Sequence, residues 1–162
     1  MKREMTIIGE IMRRPGPVDI EEAIASIGLD IQTETLDADA LSVVSVSDMV
    51  LSGKVQEGLT RSRTRMVMAH VLGHHLLHAD LLNGRGLHID VKDPARRPNG
   101  PLLPKHDAQA DRFAITMLVP PFRLSVLLDA GASSRDLVQE FGLTERFFSL
   151  LTQGVEQELA LE

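Results

Sequence analysis

Apolar and polar positions alternate along the chain with two periods, and each stretch of one period predicts an element. In residues 17–28, PVDIEEAIASIG, the apolar positions Ile20, Ala23, Ile24 and Ile27 follow Asp19 at helical spacing and stop at Gly28. An N-terminal cap and a C-terminal glycine mark both ends of a short amphipathic helix. From Leu29 to Leu36 the spacing changes to two, with Leu29, Ile31, Thr33 and Thr35 on one side and Asp30, Gln32 and Glu34 on the other. This is the pattern of a half-buried strand. Val43–Val46 and Met49–Leu51 are short β-rich runs around Ser47-Asp48 and predict a hairpin.

A long helix is expected from about Thr60 to Leu82. No proline interrupts it, and Met66, Ala69, His70, Gly73, His74, Leu77 and Leu81 recur at helical spacing. Residues 83–106 concentrate glycine, proline and charge and read as a long surface loop, with a short strand possible at Leu87–Val91. A loop of that length is usually functional or disordered. Helical periodicity returns at Asp107–Leu118, breaks at Pro120-Pro121 and resumes at Phe122–Leu128. Two more helices are expected at Ser133–Phe141 and Thr144–Leu159, separated by Gly142, with Ser133 and Thr144 as N-caps. The expected fold is α+β: a small, mainly antiparallel sheet from residues 29–51, extended by 87–91, packed on the long helix and on the Asp107 helix, followed by C-terminal helices.

The 162 residues, 43% hydrophobic, suit one domain with one aliphatic core. With no cysteine, a disulfide framework and a thiolate metal site are both excluded, and any metal must be held by imidazole, carboxylate or carbonyl groups. The first ten residues include Lys2, Arg3, Glu4 and Glu10, and no apolar run approaches the roughly 18–20 residues needed to span a bilayer. A cytoplasmic location is therefore expected. The net charge of −6 and the absence of tryptophan and tyrosine argue against a broad phosphate-clamping or base-stacking surface.

The candidate chemistry lies on the long helix. His70 and His74 are four residues apart, so both imidazoles project from one face and can reach one ion. Four of the six histidines, His70, His74, His75 and His78, fall within nine residues. In a zincin the residue after the first histidine is a glutamate that takes a proton from metal-bound water. Here it is Val71, which accepts no proton. An exposed or core histidine pair is the competing reading. Gly73 costs ~1 kcal/mol in a helix relative to alanine, which suggests that a ligand or a second helix approaches the backbone there. A third ligand is sought near His106-Asp107, with Asp107 readable equally as an N-cap and Asp111 as a carboxylate that orients a ligating histidine.

Three segments, 17–31, RSRTRMVMAHVLGHHLLH at 61–78 and DAQADRFAITMLVP at 107–120, resemble the ImmA/IrrE-like zinc metallopeptidases, with order and spacing agreeing over residues 15–125. The resemblance implies a zincin-like core at 15–125 with C-terminal helices at 126–162 and zinc held by His70, His74 and Asp107; beside these, Asp111, His106 and His78 read from their positions as orienting groups or alternative ligands. It also implies a helix-turn-helix repressor, of the kind associated with mobile elements and stress regulation, as the partner. Val71 departs from that pattern, as do Asp107, one methylene shorter than glutamate, and Asp111, where asparagine is frequent; Gln109 stands at a nearby position that is often acidic. Loss of general-base assistance typically forfeits ~10²–10⁴-fold in rate, so a protein-binding pseudoenzyme is expected. His75, one turn beyond Val71, is the substitute base to consider.

Two alternatives accompany that expectation: an active zinc endopeptidase that cleaves a repressor, and a regulatory module that binds DNA through the C-terminal helices. The second of these helices carries Arg146 but also Phe147, Phe148, Leu150 and Leu151, which read as core and leave few phosphate contacts. Arg61, Arg63 and Arg65 read as a solvated face or as a contact for an acidic partner segment. His88 reads as a loop surface residue or one that borders the cleft.

Overall fold

The computed structural model describes residues 1–149 and residue 153. A helix α1 (Lys2–Arg13) comes first, with Ile8 and Ile11 buried. Helix α2 (Ile20–Ser26) follows, with Asp19 accepting from the Glu22 amide as its cap and Gly28 at φ +75° beyond its end. Strands β1 (Asp30–Glu34), β2 (Ala40–Ser47) and β3 (Val50–Gln56) lead into helix α3 (Arg61–Leu82), capped by Thr60. Strand β4 (His88–Val91) and a 3-10 turn at Pro94–Arg96 occupy much of the expected loop. Helices α4 (Pro104–Leu118), α5 (Pro121–Asp129) and α6 (Ser134–Phe141) complete the described elements. Residues 145–149 are helical, and most of the helix expected at Thr144–Leu159 lies outside the described residues.

The sheet has four strands in the order β1-β3-β2-β4, with β1 parallel to β3 and the other pairings antiparallel. The β2–β3 hairpin turns through Asp48 and Met49, both at positive φ (49° and 65°). Two such residues match the right-handed strand twist of a two-residue hairpin. Strand β4 is an edge strand, and its register on β2 places Asp90 opposite Ser42 and His88 opposite Val44.

Helix α3 lies between the sheet and α4 and is buried nearly all round its middle turns, from Met66 to Leu76. Its apolar residues join Val44, Leu51, Val55, Met117 and Leu118 in one core. Helix α4 approaches closely at Gly73, where an added Cβ would meet Phe113 Cδ1 at 3.1 Å and the Ala110 Cα at 3.2 Å. Of the two readings of that glycine, the close approach is made by a second helix. Val71 is fully buried, and its Cγ1 lies 3.2 Å from where Gly53 would carry a Cβ, so it packs on the sheet. Arg65 does not belong to a solvated face. It reaches under the C-terminal region and donates to the carbonyls of Phe141, Gly142 and Val18. No helix among the described residues is long and apolar enough to cross a membrane.

Candidate metal centre

Three elements bring His70, His74, Asp90 and Asp107 together so that one donor atom from each lies within 4.8 Å of the others. The one-turn rise of α3 stacks the two histidines. The alternation of β4 turns His88 and Asp90 to the same side of the sheet, both buried. The first turn of α4 delivers Asp107, which is not the N-cap; that position belongs to Leu103. His70 Nε2 is 3.0 Å from Asp90 Oδ2, and His74 Nε2 is 3.6 Å from Asp90 Oδ2 and 3.5 Å from Asp107 Oδ1. Donors held about 2.0–2.1 Å from a tetrahedral zinc stand about 3.3 Å apart, close to these separations.

Neither Nε2 atom makes a hydrogen bond, although both are buried. For His70 the far side of the ring explains why. Its Nδ1 donates to Asp111 Oδ1 at 2.7 Å, so in the neutral imidazole Nε2 is a bare lone pair aimed at the Asp90 carboxylate. Lone pair facing carboxylate is repulsive without a cation between them. The donor set of two imidazoles and two carboxylates therefore fits a divalent metal, zinc included, and the residues that would hold it are His70, His74, Asp90 and Asp107.

Further contacts fix these groups. Ser42 Oγ donates to Asp90 Oδ2 at 2.8 Å, and Arg97 Nε donates to Asp107 Oδ2 at 2.9 Å, leaving Asp107 Oδ1 toward the cluster. His88 Nε2 donates to Asp107 Oδ1 at 2.8 Å and lies 3.3 Å from Asp90 Oδ1. Without a metal, protons take over part of its role. Burial alone would push His70 down, but the Asp111 and Asp90 carboxylates outweigh it and hold the imidazole up at about 10. Burial likewise opposes charge on His88, and Asp107 and Asp90 raise it to about 9. Burial, together with the charges of His70 and His88, outweighs Asp90 at His74 and lowers it to about 4. Asp90 resists burial and is held well below the usual carboxylate range by the three histidines.

The remaining residues singled out in the sequence fall at different distances from this centre. Asp111 and His78 touch the cluster histidines from behind. His106 does not enter: its Nδ1 accepts from the Leu103 amide at the start of α4. His75 faces α1, where its Nε2 donates to Glu4 at 2.9 Å, which leaves it turned to another partner than a metal-bound water. His88 is not a surface residue; it is 2% exposed and sits against both carboxylates. Asp90 was not singled out from the sequence, although the period of two in His88-Ile89-Asp90-Val91 is the signal that pairs it with His88.

Beside the cluster a cleft of about 450 Å³ runs between β4 and α4, reaching His70, Asp90, Asp107 and Asp111. Arg63, Lys92 and Arg97 border it. Val71 does not line it. No protein-family model matches this chain, and no curated protein sequence matches it.

Proposed function

We propose that this chain is a degenerate zincin-type domain of the ImmA/IrrE-like kind, which binds zinc through His70, His74, Asp90 and Asp107 and acts by binding a protein partner, a helix-turn-helix regulator, in the cytoplasm. The observation that carries the metal reading is the pair of buried, unpartnered Nε2 atoms facing two carboxylates. Catalytic zinc sites keep three protein ligands and an open position, whereas four protein ligands make a closed site. Asp90 supplies the fourth, and Val71 supplies no base. When bound, zinc would tie β4, α3 and α4 together and so fix the walls of the cleft. His70 and His74 would bind through Nε2 while Asp111 orients His70; Arg97 would hold Asp107 in place.

One observation favours a second reading, an active endopeptidase: the cleft gives solvent a path to His70 and both aspartates. A single set of measurements separates the two. Protein purified without added zinc is expected to carry about one zinc per chain and to lose it in His74→Ala. Incubated with a helix-turn-helix repressor from the same genome, it should form a complex and leave the repressor intact. Absence of metal in the wild type overturns the metal reading, and zinc-dependent cleavage abolished by His70→Ala overturns the pseudoenzyme.

A further inference from the structure

Behind His74 a chain of three side chains runs to the protein surface. His74 Nδ1 lies 3.1 Å from His78 Nδ1, and His78 Nε2 lies 2.8 Å from Gln109 Oε1. His74 is 0% and His78 2% exposed, while Gln109 is exposed on α4. Only one proton can sit between two facing Nδ1 atoms, so the identity of the donor at one end of the chain fixes the other. An amide oxygen accepts, so the His78 Nε2 that meets it carries a proton. The His78 Nδ1 is then a lone pair, the His74 Nδ1 donates to it, and the His74 Nε2 is left bare toward Asp90 and Asp107.

We propose that Gln109, acting through His78, sets which ring nitrogen of His74 carries the proton and thereby tunes metal binding at the cluster. It is a positioning residue two side chains removed from the site, and the proposal rests on the reading that His74 is a ligand. A glutamine has two faces. Turning its amide by half a rotation presents the NH₂ group to His78 Nε2 and reverses each link. His78 Nδ1 then donates to His74, and His74 Nε2–H points at the carboxylates, where it blocks a metal. A carboxylate at residue 109 could only accept and would hold the metal-ready arrangement permanently. Glutamine leaves both arrangements open, and any contact with the exposed amide can bias the buried histidine.

The test compares wild type, Gln109→Glu and Gln109→Leu in the full chain; residue 109 is exposed, so neither change disturbs the core. Nitrogen-15 chemical shifts of the His74 ring in chelator-treated protein report its tautomer, and competition with a chromogenic chelator reports zinc affinity. Gln109→Glu is expected to show His74 protonated at Nδ1 and to bind zinc about tenfold more tightly; Gln109→Leu should shift the tautomer and weaken binding about tenfold, within the ~10–100-fold range for outer-shell groups. The gain from Gln109→Glu should vanish in a His78→Phe background, which a simple effect of added charge would not do. An unchanged His74 tautomer across the three proteins overturns the proposal. If none of them binds zinc, the ligand reading fails, and the tautomer alone still decides the relay.

Discussion

Asp90 Oδ2 stands 3.0 Å from His70 Nε2 with no hydrogen bond between them, while Ser42 Oγ donates to that same oxygen at 2.8 Å. The strand thus holds a carboxylate against a ring nitrogen that is a lone pair in the neutral imidazole, and the arrangement calls for a positive charge there, a proton in the metal-free protein or a metal ion in the gap. On the proposed site, Asp90→Ala removes a ligand rather than an orienting group, so zinc affinity should fall by at least the upper end of the ~10–100-fold that outer-shell changes cost. Competition with a chelator measures it. Opening that position still leaves residue 71 without a proton acceptor. Val71→Glu does not repair this, because Val71 is fully buried in the core with its side chain against Gly53 of the sheet. A carboxylate forced there should cost about 3 kcal/mol or more in stability, read as a lowered denaturation midpoint, and neither variant should cleave an unstructured polypeptide. Zinc-dependent cleavage by either one contradicts the geometry.

The metal-free cluster should be sensitive to alkali. His70 is raised to about 10 and His88 to about 9, from an ordinary 6.5. The folded state binds those protons more tightly than the unfolded chain, so their contribution is fully present below pH 6.5 and is lost as pH rises through 9 and 10. His74, lowered to about 4, works in the opposite direction. Its contribution is present above pH 6.5 and is lost as pH falls toward 4. Denaturant titrations of chelator-treated protein from pH 5 to 11 should therefore show a decline that begins above pH 6.5 and levels off beyond pH 10, and that saturating zinc suppresses, because the metal's charge replaces the displaced protons. Equal alkaline stability with and without chelator would count against the exchange of metal for protons.

How much of this was legible beforehand depended on whether the signal was local. Asp19 and Ser133 cap their helices as their sequence neighbours indicate, and the histidine face of α3 follows from spacing alone. Strand β3 runs to Gln56, beyond the expected end, because Ser52, Gly53 and Lys54 have no apolar alternation to advertise it, yet they pair with β1 on one side and β2 on the other. Helix α1 went unseen: its buried Ile8 and Ile11 lie among charged residues that look like a solvated terminus. Asp90 escaped because its role depends on which face of β4 meets α3, and that is decided by the pairing of β4 with β2 across more than forty residues. Arg65 was misread for a related reason, since its partners are carbonyls, which leave no mark in the sequence.

Gly73 couples helix packing to the site. An alanine there would gain about 1 kcal/mol of helix propensity, but its Cβ would stand 3.2 Å from Ala110 Cα and 3.3 Å from the Ala110 carbonyl oxygen. Backbone atoms cannot turn aside as the Phe113 ring can. The contact must be relieved by separating α3 from α4, and overpacking of this kind costs about 1–3 kcal/mol. Asp107 sits one turn before Ala110 on the same helix, so the separation also moves a proposed ligand. Gly73→Ala is expected to lower both the thermal midpoint and zinc affinity. A variant stabilised by its propensity gain, with unchanged affinity, would show that α4 can retreat without disturbing the cluster.

Arg65 tests whether the C-terminal helices are anchored to the histidine-bearing helix. Its side chain is half-buried, and burial lowers its affinity for a proton below that of an ordinary arginine. It nevertheless donates three hydrogen bonds, to the Phe141 carbonyl at 2.9 Å, the Gly142 carbonyl at 3.0 Å and the Val18 carbonyl at 2.9 Å. Two of these acceptors end α6, so a single side chain on α3 ties down the segment after it and the approach to α2. Hydrogen bonds to a charged group are worth about 1.5–3 kcal/mol each, and desolvation of the cation offsets part of their sum. Arg65→Ala should therefore destabilise the domain by roughly 2–3 kcal/mol and expose the Phe141 region to protease. Arg65→Lys should recover little, since one ammonium cannot span three carbonyls that a planar fork reaches. Zinc content should stay near wild type in both variants, because Arg65 bonds to the Phe141, Gly142 and Val18 carbonyls and to none of the four cluster residues; a parallel loss of metal would mean that the C-terminal helices and the cluster fold as one cooperative unit.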